Sequence, residues 1–379
     1  MPEAVIVRAL RTPIGTAGKG ALRDTSAYDL ADHIVSAAAK GLDPAGVDDV
    51  VLGEGLYGGG VIARHAALTA GLTSIPGAAV NRHCAAGLAA VEHAAASIRS
   101  GMDELVIAGG VNSSSTGPRS RRRTDGEWSD WYPPTHPDRP DAPNFDMSYT
   151  IGWNTAVAEK ISREDMDAWA LRSHRNAVRA IDEGRFEAET VPIGTPHGLF
   201  SVDEHPRRDT SLEKLAALKP LHPEIEGFSI TAGNACGGND AAAALVVASD
   251  RLGLPALATV RAWASVGVDP AETGMAPALA IPKSLARAGL SLDDVDLFEI
   301  NEAFASMCVA VVRRLALDPD RVNVNGSGIS LGHPVAATGA RMLVTLVHEL
   351  RRRGGGVGVT AMCAGGGMAS AMVVEVAGR

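Results

Sequence analysis

The chain has 379 residues, of which 46% are hydrophobic and 21% charged, a composition typical of a globular protein with one or more large cores. The formal net charge of −9 argues against a general nucleic-acid-binding protein, and no stretch approaches the roughly 20 apolar residues that span a membrane. The first residues, MPEAVIVRALRTP, carry charges where a signal peptide would be apolar, so a cytoplasmic location is expected.

Short β-branched runs alternate with alanine-rich runs along the whole chain, which indicates an α/β fold. The runs EAVIVRA, DDVVLGEGL, GAAVNR and DELVIAGG predict strands in the first part of the chain, and ALVVAS, DLFEINEA, RVNVNG and GVGVTAM predict strands in the last part. Four cysteines are far apart, and none has the spacing of a C-x-x-C pair or of zinc ligands. We therefore expect neither a disulfide framework nor a bound metal.

The segment GEGLYG, residues 53–58, follows a predicted strand and fits the G-x-G-x-x-G pattern of dinucleotide-binding proteins. That pattern also needs an acidic residue about 20 positions later to hold the ribose hydroxyls. Residues 61–91 contain no Asp or Glu, so NAD binding is not expected.

The segment AVNRHCAAGLAAV, residues 79–91, places Cys84 between a predicted strand and a predicted helix. Backbone N–H groups and the positive end of the helix dipole at such a turn favour a thiolate, the form in which cysteine is a nucleophile. A buried, unreactive thiol is the alternative interpretation. His83 is adjacent, but neighbouring side chains across such a turn usually point apart, so we do not expect His83 to be the base.

Residues 113–232 differ in character from the rest of the chain. Their first part is rich in Pro, Arg, Asp and Trp and is predicted to be irregular surface structure. The run RSRRR, residues 119–123, is either a solvated loop or a site for a phosphorylated small ligand. A helix follows, with Ser162 as its N-cap, acidic residues in its first turn and Gly184 near its end. We interpret residues 113–232 as an inserted domain.

An internal repeat is more informative, because residues 41–56 (GLDPAGVDDVVLGEGL) align without gaps on residues 289–304 (GLSLDDVDLFEINEAF). Both copies begin with Gly-Leu, contain Val-Asp at the same offset, and place an acid at the same position, Glu54 and Glu302. A duplicated α/β unit explains this match better than coincidence does. Equivalent loops of two halves related by a pseudo-twofold axis would converge on one site.

The repeat predicts three domains. The N-terminal half comprises residues 1–112 and 233–255, the inserted domain comprises residues 113–232, and the C-terminal half comprises residues 256–379.

The second half supplies a histidine for such a shared site. His333 lies in the glycine-rich segment NGSGISLGHPVAATGARM, at the position that corresponds to the Cys84 loop in the repeat. A histidine that caps a turn is the alternative. Cys363 lies at a predicted strand end, in AMCAGGGMA, where glycines allow backbone N–H groups to approach a substrate oxygen. A simple turn is the alternative for this segment.

Taken together, NRHCAAG, TAGNACGGND, NEAFA, GHPVAATGAR and CAGGGM resemble the motifs of the thiolase family, in the same order and at similar spacing, and RTPIG near the start agrees. The resemblance extends over essentially the whole chain. It implies a duplicated thiolase-like fold of the α/β class, with two pseudo-symmetric α/β halves, mixed sheets and an inserted loop domain over which coenzyme A (CoA) lies.

The resemblance implies an acyltransferase that cleaves a 3-ketoacyl-CoA with CoA, or that runs the reverse Claisen condensation. It identifies Cys84 as the nucleophile, His333 as its base and Cys363 as the second acid/base. It also implies that Asn301 holds a water that completes one oxyanion hole with His333, and that the backbone N–H groups of Cys84 and Gly365 form the second.

The resemblance further implies that CoA is a substrate and that no cofactor is permanently bound. The residues implied for CoA or substrate binding are Arg207, Cys236, Ala303 and Phe304. A homodimer or homotetramer is expected, with acyl-CoA and CoA as small-molecule partners and with neither nucleic acid nor a membrane as a partner. Departures from the family pattern, in residues 109–118 and 127–153 and at Ala241 and Ala336, leave the acyl group open.

Two alternatives remain at this point. A carrier-protein-dependent condensing enzyme of the same fold would have a second histidine where Cys363 stands. A non-catalytic acyl-CoA- or lipid-binding relative would have lost Cys84, His333 or Cys363, and all three are present. The direction of the reaction is also open, with thiolysis as the default.

Overall fold

The computed structural model describes residues 1–55 and 60–378. Leu56, Tyr57 and Gly58 of the G-x-G-x-x-G segment lie outside the described residues, so that prediction is not tested. No helix in the described part of the chain combines the length and the apolar character needed to cross a bilayer.

The strands are β1 (Ala4–Arg11), β2 (Gly15–Thr16), β3 (Asp49–Gly53), β4 (Gly77–Val80), β5 (Leu105–Ser113), β6 (Ser120–Thr124), β7 (Glu127–Trp131), β8 (Ile193–Thr195), β9 (Gly198–Phe200), β10 (Asn239–Ser249), β11 (Ala258–Gly267), β12 (Leu297–Ile300), β13 (Gly356–Ala364) and β14 (Met368–Val376). The α-helices are α1 (Ala27–Ala39), α2 (Ile62–Thr69), α3 (Ala86–Ser100), α4 (Asn154–Ala158), α5 (Arg163–Asp182), α6 (Leu212–Ala216), α7 (Pro277–Ala288), α8 (Ala305–Arg314) and α9 (Thr338–Arg353). Short 3₁₀ helices cover Pro44–Gly46, Asp250–Leu252, Pro270–Met275, Leu292–Asp294 and Pro319–Arg321, and a π-helical turn covers Ser148–Trp153.

The large mixed sheet has the strand order β12-β13-β14-β11-β1-β10-β5-β3-β4, and β2 pairs with β10. On one side β3 is parallel to β5 and β5 is antiparallel to β10; on the other side β12 is parallel to β13 and β13 is antiparallel to β14. The antiparallel pair β1–β11 joins the two sides. Because each side repeats the same order and directions outward from this pair, the duplicated α/β fold is confirmed.

The repeated sequences have the same local structure. Gly41 and Gly289 both end a helix with a positive φ, 77° and 71°. In each copy a 3₁₀ turn follows, and the N–H of Asp48 or Asp296 donates across to a neighbouring strand, to the carbonyls of Leu105 and Val357, both at 2.8 Å. The sequence repeat is therefore a structural repeat that leads into β3 and β12.

The strand predicted at RVNVNG is wrong. Val322 forms a single parallel bridge to Phe298, on the side of β12 where β4 pairs with β3 in the other half. Asn323 then turns the chain with a φ of 49°. Its side-chain amide donates to the carbonyl of Ile300 and accepts from the N–H of Ile300, both at 2.8 Å. The asparagine side chain thus replaces the ladder that a strand would have formed.

Helices cover the sheet in three layers. Helices α1 and α2 pack on the outer face of the first half, and α7 and α8 pack on the outer face of the second half. Between the halves lie α3 and α9, whose buried side chains share one core with strands from both. This close packing requires glycine, because a Cβ at Gly110 would lie 2.1 Å from the carbonyl oxygen of Ala336, and a Cβ at Gly339 would lie 2.6 Å from the backbone nitrogen of Leu88.

Part of the inserted segment was expected to be irregular, but it contains a β-hairpin of β6 and β7. Asp125 and Gly126 form its two-residue turn, and both have positive φ values, 53° and 90°. An Asp-Gly pair is a strong signal for this type of hairpin turn, so the sequence did contain the information.

The predicted helix of the insertion is confirmed as α5. Its N-cap Ser162 accepts a hydrogen bond from the N–H of Asp165 at 3.1 Å, and the Asp165 carboxylate accepts one from the N–H of Ser162 at 3.4 Å. Gly184 follows the helix end with a φ of 66°. On its inner face the indole N–H of Trp169 donates to Glu302 at 3.0 Å, so α5 is fixed to the NEAFA segment. The predicted domain boundaries stay a prediction.

We expect Gly110→Ala to destabilise the protein by about 1–3 kcal/mol, because the added Cβ meets backbone atoms that cannot rotate away. The measurement is the urea midpoint of unfolding. Gly46→Ala is the matched control, because nothing lies within 4 Å of a Cβ at that position. Equal midpoints for the two variants would show that the halves do not depend on this close approach.

Candidate active site

The loop between β4 and α3 presents Cys84 at the start of the helix. Ala85 is the N-cap of α3, so Cys84 directly precedes it. The Asn81 side chain accepts a hydrogen bond from the N–H of His83 at 2.8 Å. His83 has a φ of 47°, which a residue with a side chain rarely adopts. This tight turn fixes the position of the thiol relative to the helix end.

Arg82 connects the same loop to the second half. One guanidinium nitrogen donates to Glu92 on α3 at 2.6 Å, to Ser265 on β11 at 2.7 Å and to Ser370 on β14 at 3.2 Å. Glu92 is buried, and burial raises its pKa while Arg82 acts in the opposite direction. Arg82 thereby ties the Cys84 loop to β11 and β14, where its two serine partners lie 183 and 288 positions later in the chain.

Burial raises the pKa of the Cys84 thiol above its ordinary value, although the backbone N–H of Gly365 stabilises the thiolate. The helix end was expected to favour a thiolate. That expectation is wrong for this site, because desolvation of the charged sulfur outweighs the backbone hydrogen bonds that stabilise it. Cys84 is therefore a neutral thiol with a backbone donor already aimed at its sulfur.

His333 is held by hydrogen bonds at its backbone N–H and at its ring nitrogen Nδ1. Its backbone N–H donates to Asn239 Oδ1 at 2.9 Å, and Gly332, which has a φ of 107°, leaves room for that side chain. Its Nδ1 lies 2.7 Å from Thr338 Oγ1, and the Thr338 hydroxyl donates its one hydrogen to the carbonyl of Pro334 at 2.9 Å. Thr338 must then accept from Nδ1–H, which assigns the lone pair to Nε2.

The imidazole of His333 is neutral. Burial, with a smaller contribution from the guanidinium of Arg341, lowers the pKa of His333 to about 3. The ring therefore keeps its free lone pair on Nε2 throughout the physiological range of pH and can accept a proton there.

Asn301 lies on the Nε2 side of the ring, with its Nδ2 3.5 Å from Nε2. Its Oδ1 is buried and has no hydrogen-bond partner among the described residues. A Cβ at Gly328 would come within 2.6 Å of that oxygen, so glycine is needed there. A buried polar atom without a partner requires a water or a ligand group, and Asn301 is therefore open to one.

Cys363 lies near the end of β13 and is fully buried, with its sulfur 3.5 Å from the sulfur of Met307. Burial raises the pKa of Cys363 well above its ordinary value, and charge on Cys84 or Cys236 would raise it further. Burial and charge on Cys84 also raise the pKa of Cys236, to about 12. Charge on Cys363 likewise raises the pKa of Cys308, so the structure links all four cysteines electrostatically through Cys363.

The residues expected to bind CoA fall into two groups. Cys236, Ala303 and Phe304 form one, since the N–H of Cys236 donates to the carbonyl of Ala303 at 2.9 Å and the residue before Cys236 bridges to Phe304. Arg207 lies apart from them in a basic cleft of about 460 Å³ between α5 and the following segment. The N–H of Arg207 donates to His174 Nδ1 at 3.1 Å.

Two residues that hold His333 in place were not predicted from the sequence. Thr338 stands five residues after His333, so its contact with the ring depends on the turn that Pro334 begins, and its position within GHPVAATGAR was the only signal. Asn239 belongs to the quoted TAGNACGGND segment, but nothing in the sequence indicates that its side chain reaches His333. Within the described residues, no group of three or more His, Cys, Asp or Glu side chains could hold a metal ion.

Comparisons with known proteins agree with this geometry. The family model "Thiolase, N-terminal domain" matches residues 4–251, and "Thiolase, C-terminal domain" matches residues 254–376. The 3-ketoacyl-CoA thiolase of Bacillus subtilis is 39% identical, over 99% of this chain and 100% of its own length.

Two solved structures are similar over nearly their full length. The Bacillus anthracis acetyl-CoA acetyltransferase is 41% identical with a TM-score of 0.92, over 100% of this chain and 99% of that chain. The human mitochondrial 3-ketoacyl-CoA thiolase in complex with CoA is 35% identical with a TM-score of 0.91, over 99% and 98%. The family that the five motifs indicated is therefore confirmed, and this chain belongs to the thiolase family of acyltransferases.

Proposed function

We propose that this protein transfers an acyl group between a 3-ketoacyl-CoA and CoA through an intermediate on Cys84, or runs the reverse Claisen condensation. The observation that carries the proposal is that Cys84, from the first half, lies close enough to Cys363 to interact with it electrostatically and accepts a hydrogen bond from the backbone N–H of Gly365, both from the second half. Thiolase-family membership over the whole chain supports the same chemistry.

In the first step, Cys84 would attack the carbonyl carbon of the substrate while its proton passes to Nε2 of His333. In thiolysis the bond between the keto carbon and the alpha carbon then breaks and the enolate of acetyl-CoA departs, whereas in condensation the thioester C–S bond breaks and CoA departs. A neutral thiol and a neutral imidazole suit this transfer, because neither charge exists before the substrate needs it. The backbone N–H groups of Cys84 and Gly365 would hold the oxygen that becomes negative. Such a donor typically contributes a hundred- to a thousandfold in rate.

In the second step, Cys363 would act as the acid or base. In thiolysis the Cys363 thiol would protonate the alpha carbon of the departing enolate, and the Cys363 thiolate so formed would take the proton of the incoming CoA thiol. The CoA sulfur would then attack the acyl group, and the released Cys84 sulfur would regain its proton from His333. In condensation the same steps run in reverse, so Cys363 would give its proton to the departing CoA and would then take one from the alpha carbon of the second acyl group. The enolate oxygen would then be held by His333 and by a water on Asn301, whose Oδ1 has no other partner among the described residues. Because that C–H is a weak acid, stabilisation of the enolate is as necessary as the base.

CoA is proposed as a substrate, with no cofactor permanently bound. Cys236, Ala303 and Phe304 would contact its pantetheine arm beside the thiols, and Arg207 would face its nucleotide end from the basic cleft. The cytoplasmic location stays a prediction from the amino-acid sequence.

We also propose that the chain forms a homodimer or homotetramer. Strand β4 ends the large sheet, and no described strand pairs with its outer edge. An open edge of this kind is a template for pairing with another chain.

We expect acetyl-CoA or acetoacetyl-CoA to leave an acyl group on Cys84, because Cys84 is the thiol beside the Gly365 donor. Peptide mapping by mass spectrometry measures the site. Cys363→Ala should still be acylated but should lose thiolysis and condensation, measured as CoA release in both directions. An adduct on another residue, or loss of acylation in Cys363→Ala, would contradict these roles.

We expect Thr338→Val to lower kcat by about 10- to 100-fold. The Nδ1–H of His333 would lose its hydrogen-bond acceptor, and the imidazole ring would no longer be held in its orientation. The KM for CoA should not change, because Thr338 is buried away from the proposed CoA contacts. Thr338→Ser keeps the hydroxyl and should retain most of the activity. An equal loss of kcat in both variants would mean that Thr338 contributes packing and does not fix the tautomer of His333.

We expect the native protein to have at least twice the mass of one chain in sedimentation analysis at micromolar concentration. Assembly through β4 would cover the outer edge of that strand, so its amide hydrogens should exchange slowly. A fully active monomer would overturn this proposal.

A further inference from the structure

A cavity of about 480 Å³ opens beside the Cys84 loop and is separate from the proposed CoA contacts. Asn81 and His83 line it from the Cys84 loop, and Val335 lines it from the turn that carries His333. The cavity therefore adjoins both sides of the candidate active site. The end of β5 and the segment that follows it form the rest of its wall, together with Gly55 and Tyr132.

The wall of this cavity is polar. Asn112 and three serines line it at the end of β5 and just after that strand. Apart from glycines and the ring of Tyr132, the apolar lining among the described residues is limited to Val335 and Pro118. An extended alkyl chain would gain little in such a cavity, because burial of apolar surface needs apolar neighbours.

The polar groups of the wall divide into those that are satisfied and those that are not. Asn112 donates to the carbonyl of Asn239 at 2.9 Å, Ser114 donates to the same carbonyl at 3.1 Å, and Ser115 donates to Asp240. These side chains are used to hold the wall against β10. They are not free to bind a ligand strongly.

Four other side chains in the wall have a donor without a partner among the described residues. These are the amide nitrogen of Asn81, the imidazole of His83, the guanidinium of Arg119 and the hydroxyl of Tyr132. The Asn81 oxygen is already occupied by the N–H of His83. Burial lowers the pKa of His83, so its ring is neutral and keeps one N–H. The free groups of the cavity are thus mostly donors.

The charge of the cavity has one sign. Arg119 is cationic, it makes no ion pair with any residue that the structure describes, and the described lining contains no carboxylate. A ligand group that accepts several hydrogen bonds and carries negative charge matches such a wall, and an ionised carboxylate is acceptor-only.

We propose that this cavity receives the far end of the acyl chain and that the preferred 3-ketoacyl-CoA carries a terminal carboxylate. The proposal rests on the proposed function, because it names the substrate class of the same site. Arg119 is the specificity-determining residue, and Asn81, His83 and Tyr132 supply further donors.

The test uses 3-ketoacyl-CoA pairs that differ only at the chain end. We expect kcat/KM for thiolysis of 3-oxoadipyl-CoA or 3-oxosuberyl-CoA to exceed that of 3-oxohexanoyl-CoA or 3-oxooctanoyl-CoA, respectively, by about tenfold or more. Both members of a pair carry the same CoA, so the ratio isolates the terminal group.

Arg119→Gln should remove most of the preference through a higher KM for the carboxylate substrate and should leave thiolysis of the methyl-ended substrate unchanged. Arg119→Lys should restore part of the preference. Arg123→Gln is the matched control, because Arg123 lies on the same exposed hairpin, outside the cavity lining, and donates only to the carbonyl of Gly126 among the described residues.

Each other outcome is decisive. An equal or greater kcat/KM for the methyl-ended substrates in wild type would overturn the carboxylate proposal while leaving the thiolase function intact. An equal loss on both substrates in Arg119→Gln would mean that Arg119 contacts a phosphate of CoA, which also overturns it. No turnover of any of the four substrates, nor of acetoacetyl-CoA, would instead refute the proposed function.

Discussion

The side chain of Asn239 makes the contact on which the rest of the site depends. Asn239 is the first residue of β10, and its side chain accepts a hydrogen bond from the N–H of His333 and donates one to the carbonyl of Gly15 at 3.0 Å. The backbone carbonyl of Asn239 accepts a hydrogen bond from the side chain of Asn112. One residue of the first half thus fixes His333 of the second half and the wall of the polar cavity. It can do so only because Gly332 has no side chain where the amide passes.

Burial determines the protonation states of the site. A thiolate beside an imidazolium would have to be desolvated as a pair, and in a closed site that cost commonly exceeds the attraction between the charges. Here both groups are neutral, since burial moves the pKa of Cys84 upward and that of His333 downward. Under the proposed mechanism, charge would appear only when an acyl oxygen is present to share it with backbone donors.

Much of this could be predicted from the sequence because some signals are local. The capping residues of α5 act within one helical turn, and the repeat at residues 41–56 and 289–304 needs only comparison of the chain with itself. The signal for the Asp125-Gly126 turn is equally local, although the prolines and arginines around it favour irregular structure. The family, which the motifs indicated, followed from their order.

Other features depend on contacts that no local pattern contains. The prediction of a strand at RVNVNG failed because one asparagine side chain substitutes for the ladder. The prediction of a Cys84 thiolate is wrong because the sequence indicates the start of the helix but does not indicate how deeply the thiol is buried. Thr338 reaches His333 across one turn, and Asn239 reaches it from the other half of the fold. Only the folded chain brings these residues together.

The two central helices have a consequence that concerns charge. Helices α3 and α9 begin beside each other, with Cys84 just before one start and His333 shortly before the other. Two partial positive charges from aligned peptide dipoles therefore lie close to Cys84 and His333. A chain with an overall charge of −9 in this way offers a favourable place for a negative charge near these two residues through its backbone. Since these dipoles are buried and fixed, dissolved salt screens them far less than it would screen an arginine at the surface.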